Sequence, residues 1–173
     1  MATPDQAKHD ERNIVVTGFM ATGKTTVGRY IASLIKRRFV DADDVIIERA
    51  EMSIPEMFAV KGEAAFRALE KEVCRDLTAE RGLVIATGGG MLVDSENRRW
   101  MLDSGFVVCL DADPEVLDAR LSGATDRPLA GDWRALLEKR HAVYAEIPIH
   151  VDTSDKTPAV LAQEIIGLWR ASR

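Results

Sequence analysis

Eight consecutive residues, Gly18-Phe19-Met20-Ala21-Thr22-Gly23-Lys24-Thr25, constrain this chain more than any others, because they fit the pattern G-x-x-x-x-G-K-[ST]. They lie between a short apolar run, Ile14-Val15-Val16, and a helical pattern from Thr25 to Lys36. The chemistry of the pattern requires that setting. Glycines let the backbone curl until its N–H groups face an anion, and the helix start adds the positive end of its dipole. The N–H groups of Ala21, Thr22, Gly23 and Thr26 are then available to phosphate oxygens. Lys24 reaches the outer phosphates of a nucleotide, and the Thr25 hydroxyl can hold Mg²⁺. A bare glycine turn joining strand to helix is the competing reading, and the context on both sides favours the phosphate loop.

Alternating strand-like and helix-like segments fill the rest of the chain. Phe39-Val40 leads into Asp41, Leu83-Val84-Ile85-Ala86 leads to Gly88-Gly89-Gly90, and Phe106 to Leu110 ends at Asp111. Continuous apolar runs without alternation suit strands covered on both faces, as in a parallel sheet. Ile147, Ile149 and Val151 alternate with Pro148 and His150, which suits an edge strand. Helix starts are legible at Ser53-Ile54-Pro55-Glu56, which has capping-box spacing, and at Asp113-Pro114 and Thr157-Pro158. From Gly62 to Glu80 one face carries Phe66, Leu69, Val73 and Leu77, an amphipathic helix. The order βαβ, several helices, then βαβαβα predicts one α/β domain with a mainly parallel five-stranded sheet and right-handed crossovers. At 173 residues, with neither repeat nor linker, the chain has room for one domain.

Composition excludes several classes of function. The net charge is −5, from 23 basic and 28 acidic side chains, and aromatics make up 6%. This is not the basic footprint of a nucleic-acid binder, nor is there a polybasic membrane segment. No apolar run approaches the roughly 18 residues of a membrane span. Met1 to Arg12 are polar and charged, which predicts a short flexible leader over 1–12 rather than a secretory signal. Cys74 and Cys109 have no Cys or His neighbours at metal spacing and read as buried, reduced thiols, in keeping with the cytoplasm. His9, His141 and His150 are scattered and predict no metal site.

Asp41 and Asp43 follow the second strand, where the carboxyl ends of a parallel sheet line the ligand crevice. In an extended chain residues two apart point the same way, so one carboxylate can serve Mg²⁺ and the other a substrate hydroxyl. Helix capping is the plainer alternative, and Asp44 is the expected cap. Three successive glycines, Gly88 to Gly90, carry an entropic cost that a simple turn does not demand and read as ligand-facing. Arg67 has Glu63 and Glu70 at i−4 and i+3, an arrangement that orients a guanidinium or decorates a solvated face. Arg140, one turn before Tyr144, is equally ambiguous. Ser122 to Gly131 is a polar, Gly- and Pro-containing stretch between helical patterns, and Arg127 within it could close on a transferring phosphoryl group or sit in an ordinary surface loop.

Taken in order, GFMATGKTT, F-V-D-A-D, G-E-A-A-F-R, A-T-G-G-G, R-P-L and K-R-x-x-x-Y resemble the shikimate kinase family from Asn13 to about Trp169. The resemblance implies a three-layer P-loop kinase fold over 13–173, with a substrate-binding subdomain at about 44–67 and a lid at about 122–132. It implies transfer of the ATP γ-phosphoryl group to the 3-hydroxyl of shikimate, with Mg²⁺, by a cytoplasmic monomer. It also implies roles for residues. Asp43 would bind shikimate hydroxyls and act as base, with Lys24 and Arg127 on the phosphates; Asp41 would reach the metal through water, beside Thr25. Arg67, Arg140 and the backbone near Gly89 would hold the shikimate carboxylate, Arg120 would stack on adenine with the loop around Lys156 bordering that base, and Phe58 and Phe66 would wall the acceptor, with plain core as their alternative. Ala21, Ala130 and Val143 depart from the family pattern; where the family carries glycine, Ala21 would be strained if the loop needs φ > 0. A related kinase acting on gluconate, or a silent nucleotide-binding protein, are the alternatives.

Overall fold

The computed structural model describes residues 10–122 and 132–173. β1 (Asn13–Gly18) runs into α1 (Lys24–Ile35), then β2 (Phe39–Asp41), and three helices follow: α2 (Ala42–Ala50), α3 (Ile54–Lys61) and α4 (Glu63–Ala79). β3 (Val84–Ala86), a 3₁₀ turn at Met91–Val93, α5 (Ser95–Ser104), β4 (Gly105–Asp111) and α6 (Pro114–Leu121) come next. α7 (Trp133–Tyr144), β5 (Ile149–Asp152) and α8 (Pro158–Ala171) complete the chain. The strands form one sheet in the order β2-β3-β1-β4-β5, and every pairing is parallel.

The apolar runs are continuous because both faces of the sheet are covered. Ile14 and Val16 pack with Val27, Ile31, Leu161 and Ile165 of α1 and α8. Val15, between them in sequence, packs on the opposite side among residues of α2 to α7, including Ile46, Val73 and Met101. All three are fully buried, each stabilising the fold by about 1.5–3 kcal/mol. β5 pairs with β4 alone, so it is the edge strand that its alternating pattern predicts, and Pro148 lies just before it. Among the described residues no helix is long and apolar enough to cross a membrane.

β1 stands at the centre, flanked by β3 and β4, and the chain leaves its carboxyl end into the glycine loop. Gly18 there has φ 138°, and a Cβ would meet the Leu110 carbonyl oxygen at 2.5 Å, so the loop can start against β4 only with glycine. Helix starts match the capping signals at Ser53, where both capping-box bonds form, and at Thr157, whose side chain accepts from Val160 N–H. Asp113 holds the cap position of α6 without a side-chain bond, and Pro114 takes the first turn. One cap differs from expectation. Asp41, not Asp44, caps α2, accepting from the Asp43 N–H. The chain is therefore not extended from Asp41 to Asp43, because helix begins at Ala42 and Asp43 sits in its first turn.

Candidate active site

A cleft of about 850 Å³ opens at the carboxyl ends of the strands. Within the described residues it gathers the whole candidate set: Ala21 to Thr26 of the loop, Asp41, Asp43, Arg67, Gly89, Arg120, Arg140 and Lys156. Arg127, Ala130 and nearly all of the expected lid lie outside the described residues, as do Met1 to His9 of the expected leader.

At the phosphate end, the Lys24 ammonium donates to the Phe19 carbonyl at 2.8 Å, and the Thr22 hydroxyl donates to the same oxygen at 2.7 Å. These bonds fold the loop across its own base. Ala21 has φ 63°, a left-handed conformation that costs a non-glycine residue about 1–2 kcal/mol. Arg120 spans to it, donating from Nη1 to the Ala21 carbonyl at 2.9 Å. Thr25 donates its hydroxyl to Asp41 Oδ2 at 2.6 Å, while Asp41 Oδ1 accepts the Asp43 N–H at 2.9 Å. A hydroxyl beside a carboxylate is a hard oxygen donor pair, which fits Mg²⁺. Lys156, on the far rim, pairs with Glu164 at 2.7 Å.

The other end is built around the glycine triplet. A Cβ on Gly88 would stand 2.7 Å from Asp43 Oδ1; on Gly89, 3.4 Å from the Met20 nitrogen; on Gly90, 2.6 Å from Arg67 Nη1 and 3.0 Å from Arg140 Nη2. The guanidinium groups of Arg67 and Arg140 thus converge on one glycine from different helices. Arg67 is not on a solvated face: its Nη1 bonds Glu70 Oε1 at 2.7 Å, and Glu63 is farther at 3.5 Å. Phe58 and Phe66 also line this end, their ring centroids 4.9 Å apart.

Two residues outside the predicted set brace this end of the cleft, Glu70 at Arg67 and Tyr144 at Gly89. Glu70 is 2% exposed, and burial pushes its carboxyl above the usual value even though the neighbouring Arg67 pulls the other way. Its i+3 spacing from Arg67 is a signal in the sequence, but spacing does not say that the pair is buried. Tyr144 donates its hydroxyl to the Gly89 carbonyl, and burial raises its phenol to about 12, so it remains a donor at neutral pH. The carbonyl and the following N–H of a trans peptide point opposite ways, so this bond turns the Gly90 N–H away from Tyr144. The tyrosine of K-R-x-x-x-Y was legible as a motif; its reach to the glycines depends on how α7 packs.

Comparison with known proteins follows the same outline. The family model described as Shikimate kinase matches residues 20–169. A shikimate kinase of Geobacter sulfurreducens is 42% identical over 167 residues, covering 93% of this chain and 92% of the relative. The structure of shikimate kinase from Acinetobacter baumannii in complex with shikimate superposes with a TM-score of 0.89 at 35% identity, covering 94% of this chain and 95% of that one. A gluconokinase from Sinorhizobium meliloti reaches a TM-score of 0.57 at 17% identity, covering 94% and 96%, and shares the fold alone.

Proposed function

The chain belongs to the shikimate kinase family, and on that premise we propose how its cleft divides the work of phosphorylating shikimate with ATP. The enzyme is an ATP-dependent phosphotransferase acting on an alcohol, the 3-hydroxyl of shikimate, in aromatic amino-acid biosynthesis. The observation that carries the proposed division is the convergence of Arg67 and Arg140 on Gly90, two residues from Gly88, where the Asp43 carboxylate lies. Two planar forks over one small residue suit a carboxylate, which each can grip bidentately. Gluconate is also a carboxylate, but the gluconokinase likeness extends to fold alone and does not favour that reading.

With the carboxylate held there, the acceptor hydroxyl comes to Asp43. Asp43 orients it and takes its proton as the O–P bond forms. The hydroxyl needs positioning and charge neutralisation more than a strong base. Lys24 and the loop N–H groups neutralise the outer phosphates, and we assign Arg127 the same task. Thr25 and Asp41 would hold Mg²⁺, which when bound would neutralise charge on the phosphates. Arg120 and Lys156 border the base, and residues 44–67 form the acceptor-binding subdomain. A monomer working in the cytoplasm, with no nucleic acid or membrane partner, completes this reading.

The test is a coupled ADP-release assay with ATP, Mg²⁺ and a panel of hydroxy acids and sugars. Turnover with shikimate and not with gluconate is expected. The reverse, or ATP binding without turnover on any acceptor, would overturn the assignment.

A further inference from the structure

A cluster at the β4–β5 edge takes no part in the phosphoryl chemistry. Cys109 on β4 and His150 on β5 stand opposite each other in register, and Asp111 is two residues beyond Cys109 on the same sheet face. The sequence keeps His150 far from Cys109 and Asp111 and shows no metal spacing; strand pairing brings the three together. Their ligand atoms all lie within 4.8 Å of one another. Cys109 Sγ is 3.8 Å from Asp111 Oδ1, and His150 Nδ1 is 2.8 Å from Asp111 Oδ2.

We propose that Cys109, Asp111 and His150 form a binding site for a divalent transition metal of the zinc class. In a tetrahedral site with metal–sulfur bonds of about 2.3 Å and metal–nitrogen or metal–oxygen bonds of about 2.0–2.2 Å, ligand atoms stand roughly 3.3–3.6 Å apart. The spacings of 2.8 and 3.8 Å bracket that range and the third is at most 4.8 Å, so side-chain rotation without backbone movement would close the set. Cys109 is buried and forms the floor, while exposed Asp111 and His150 form a rim that a metal can enter from solvent. The fourth position faces water. The backbone beneath is fixed, since the Asp111 carbonyl accepts from both the N–H and the hydroxyl of Thr153, at 2.8 and 3.0 Å.

Ligand chemistry sets the metal class. Sulfur, imidazole nitrogen and carboxylate together suit zinc or cobalt, whereas Mg²⁺ prefers all-oxygen shells, so the nucleotide's metal does not compete here. On binding, the metal replaces the thiol proton of Cys109, which leaves to solvent. His150 binds through Nδ1 and carries its proton on Nε2.

The experiment titrates Co²⁺, then Zn²⁺, into the full-length chain without nucleotide. One equivalent of Co²⁺ should give a near-ultraviolet thiolate-to-cobalt absorption band that Zn²⁺ abolishes, and Zn²⁺ but not Mg²⁺ should raise the thermal midpoint. C109S, D111N and H150Q should each lose the band, and C74S should keep it. Asp111 and His150 are exposed, so D111N and H150Q separate loss of a ligand from loss of the fold, and unchanged ADP release by both confirms that they are folded. Absence of a thiolate band, or a band that survives in H150Q and D111N or in C109S, would overturn the proposal.

Discussion

Replacing Gly90 by alanine tests the acceptor end of the cleft while leaving every charged group in the chain. The Gly90 backbone, at φ −100° and ψ −6°, is open to alanine. The new methyl would meet Arg67 Nη1 at 2.6 Å, Arg67 Nη2 at 2.8 Å and Arg140 Nη2 at 3.0 Å. Non-bonded atoms rest about 3.5 Å apart, so the Arg67 guanidinium must retreat by about 1 Å. It cannot swing far, because Nη1 is bonded to the buried Glu70. Hydrogen bonds to charged groups contribute about 1.5–3 kcal/mol, and losing one of middling strength, about 2 kcal/mol, is roughly a 30-fold change in binding.

The expected result is a KM for shikimate raised about 30-fold with the KM for ATP within about twofold of the parent. Stability should move the other way or not at all, since Gly→Ala at a compatible backbone adds about 0.4–1 kcal/mol, against which the displaced arginines set a modest cost. Steady-state ADP release with each substrate varied in turn, and thermal unfolding alongside, measure both. An unchanged KM for shikimate in the folded variant, or equal rises for both substrates, would refute the fork.

Three further outcomes follow from the same geometry. Burial holds the Glu70 carboxyl above its usual 4.5, so the folded state keeps a proton that the unfolded chain releases; that contribution is complete below about pH 4.5 and is lost as pH rises through the raised value. Glu70→Gln should therefore flatten the fall of unfolding free energy above pH 4.5 and raise the KM for shikimate; a parental slope in denaturant titrations would show that Glu70 is not the group. At Ala21, glycine relieves the left-handed strain but costs about 0.5–1 kcal/mol in chain entropy, so Ala21→Gly should stay within about 1 kcal/mol of the parent. The β-branched Ala21→Val should loosen the loop and raise the KM for ATP, and a valine variant equal to the parent would contradict the strain. Asn caps helices as well as Asp, so Asp41→Asn should preserve α2 while raising the Mg²⁺ concentration needed for half-maximal rate about tenfold, and an unchanged Mg²⁺ dependence would remove Asp41 from the metal shell.

Local pattern carried most of the fold. Ile14-Val15-Val16 is apolar at every position because alternate residues enter different cores, and that alone argues for a sheet covered on both sides. The phosphate loop was legible for a similar reason, since its glycines, lysine and threonine are neighbours in sequence. What was misread depended on partners far along the chain. The helical period gives the direction of Arg67 relative to Phe66, but not that Arg140 and Gly90 occupy that side, so spacing alone favoured a solvated face. Asp41 and Asp43 were expected to share a side of an extended segment; helix started at Ala42, three residues before the start that an Asp44 cap implies, and the Asp41 side chain took the cap. Cys109 and His150 meet only through strand register, which spacing cannot show.

The glycine triplet stands between these cases. Its entropic cost correctly pointed to a purpose beyond a turn, and the purpose expected was an approach of backbone to ligand. The contacts add a second reason. Missing Cβ atoms make room for the Asp43 carboxylate over Gly88 and for the arginine fork over Gly90, whereas a Cβ on Gly89 would stand in ordinary contact, 3.4 Å from the loop nitrogen of Met20. Acid and cationic fork come from separate elements, and Gly88 and Gly90 let both crowd against the end of one strand beside the phosphate loop. Tyr144 then fixes the orientation of the Gly89 carbonyl from below. Gly88 and Gly90 thus answer to their neighbours and not to the shape of the chain, which is why the run was informative when none of its partners was visible.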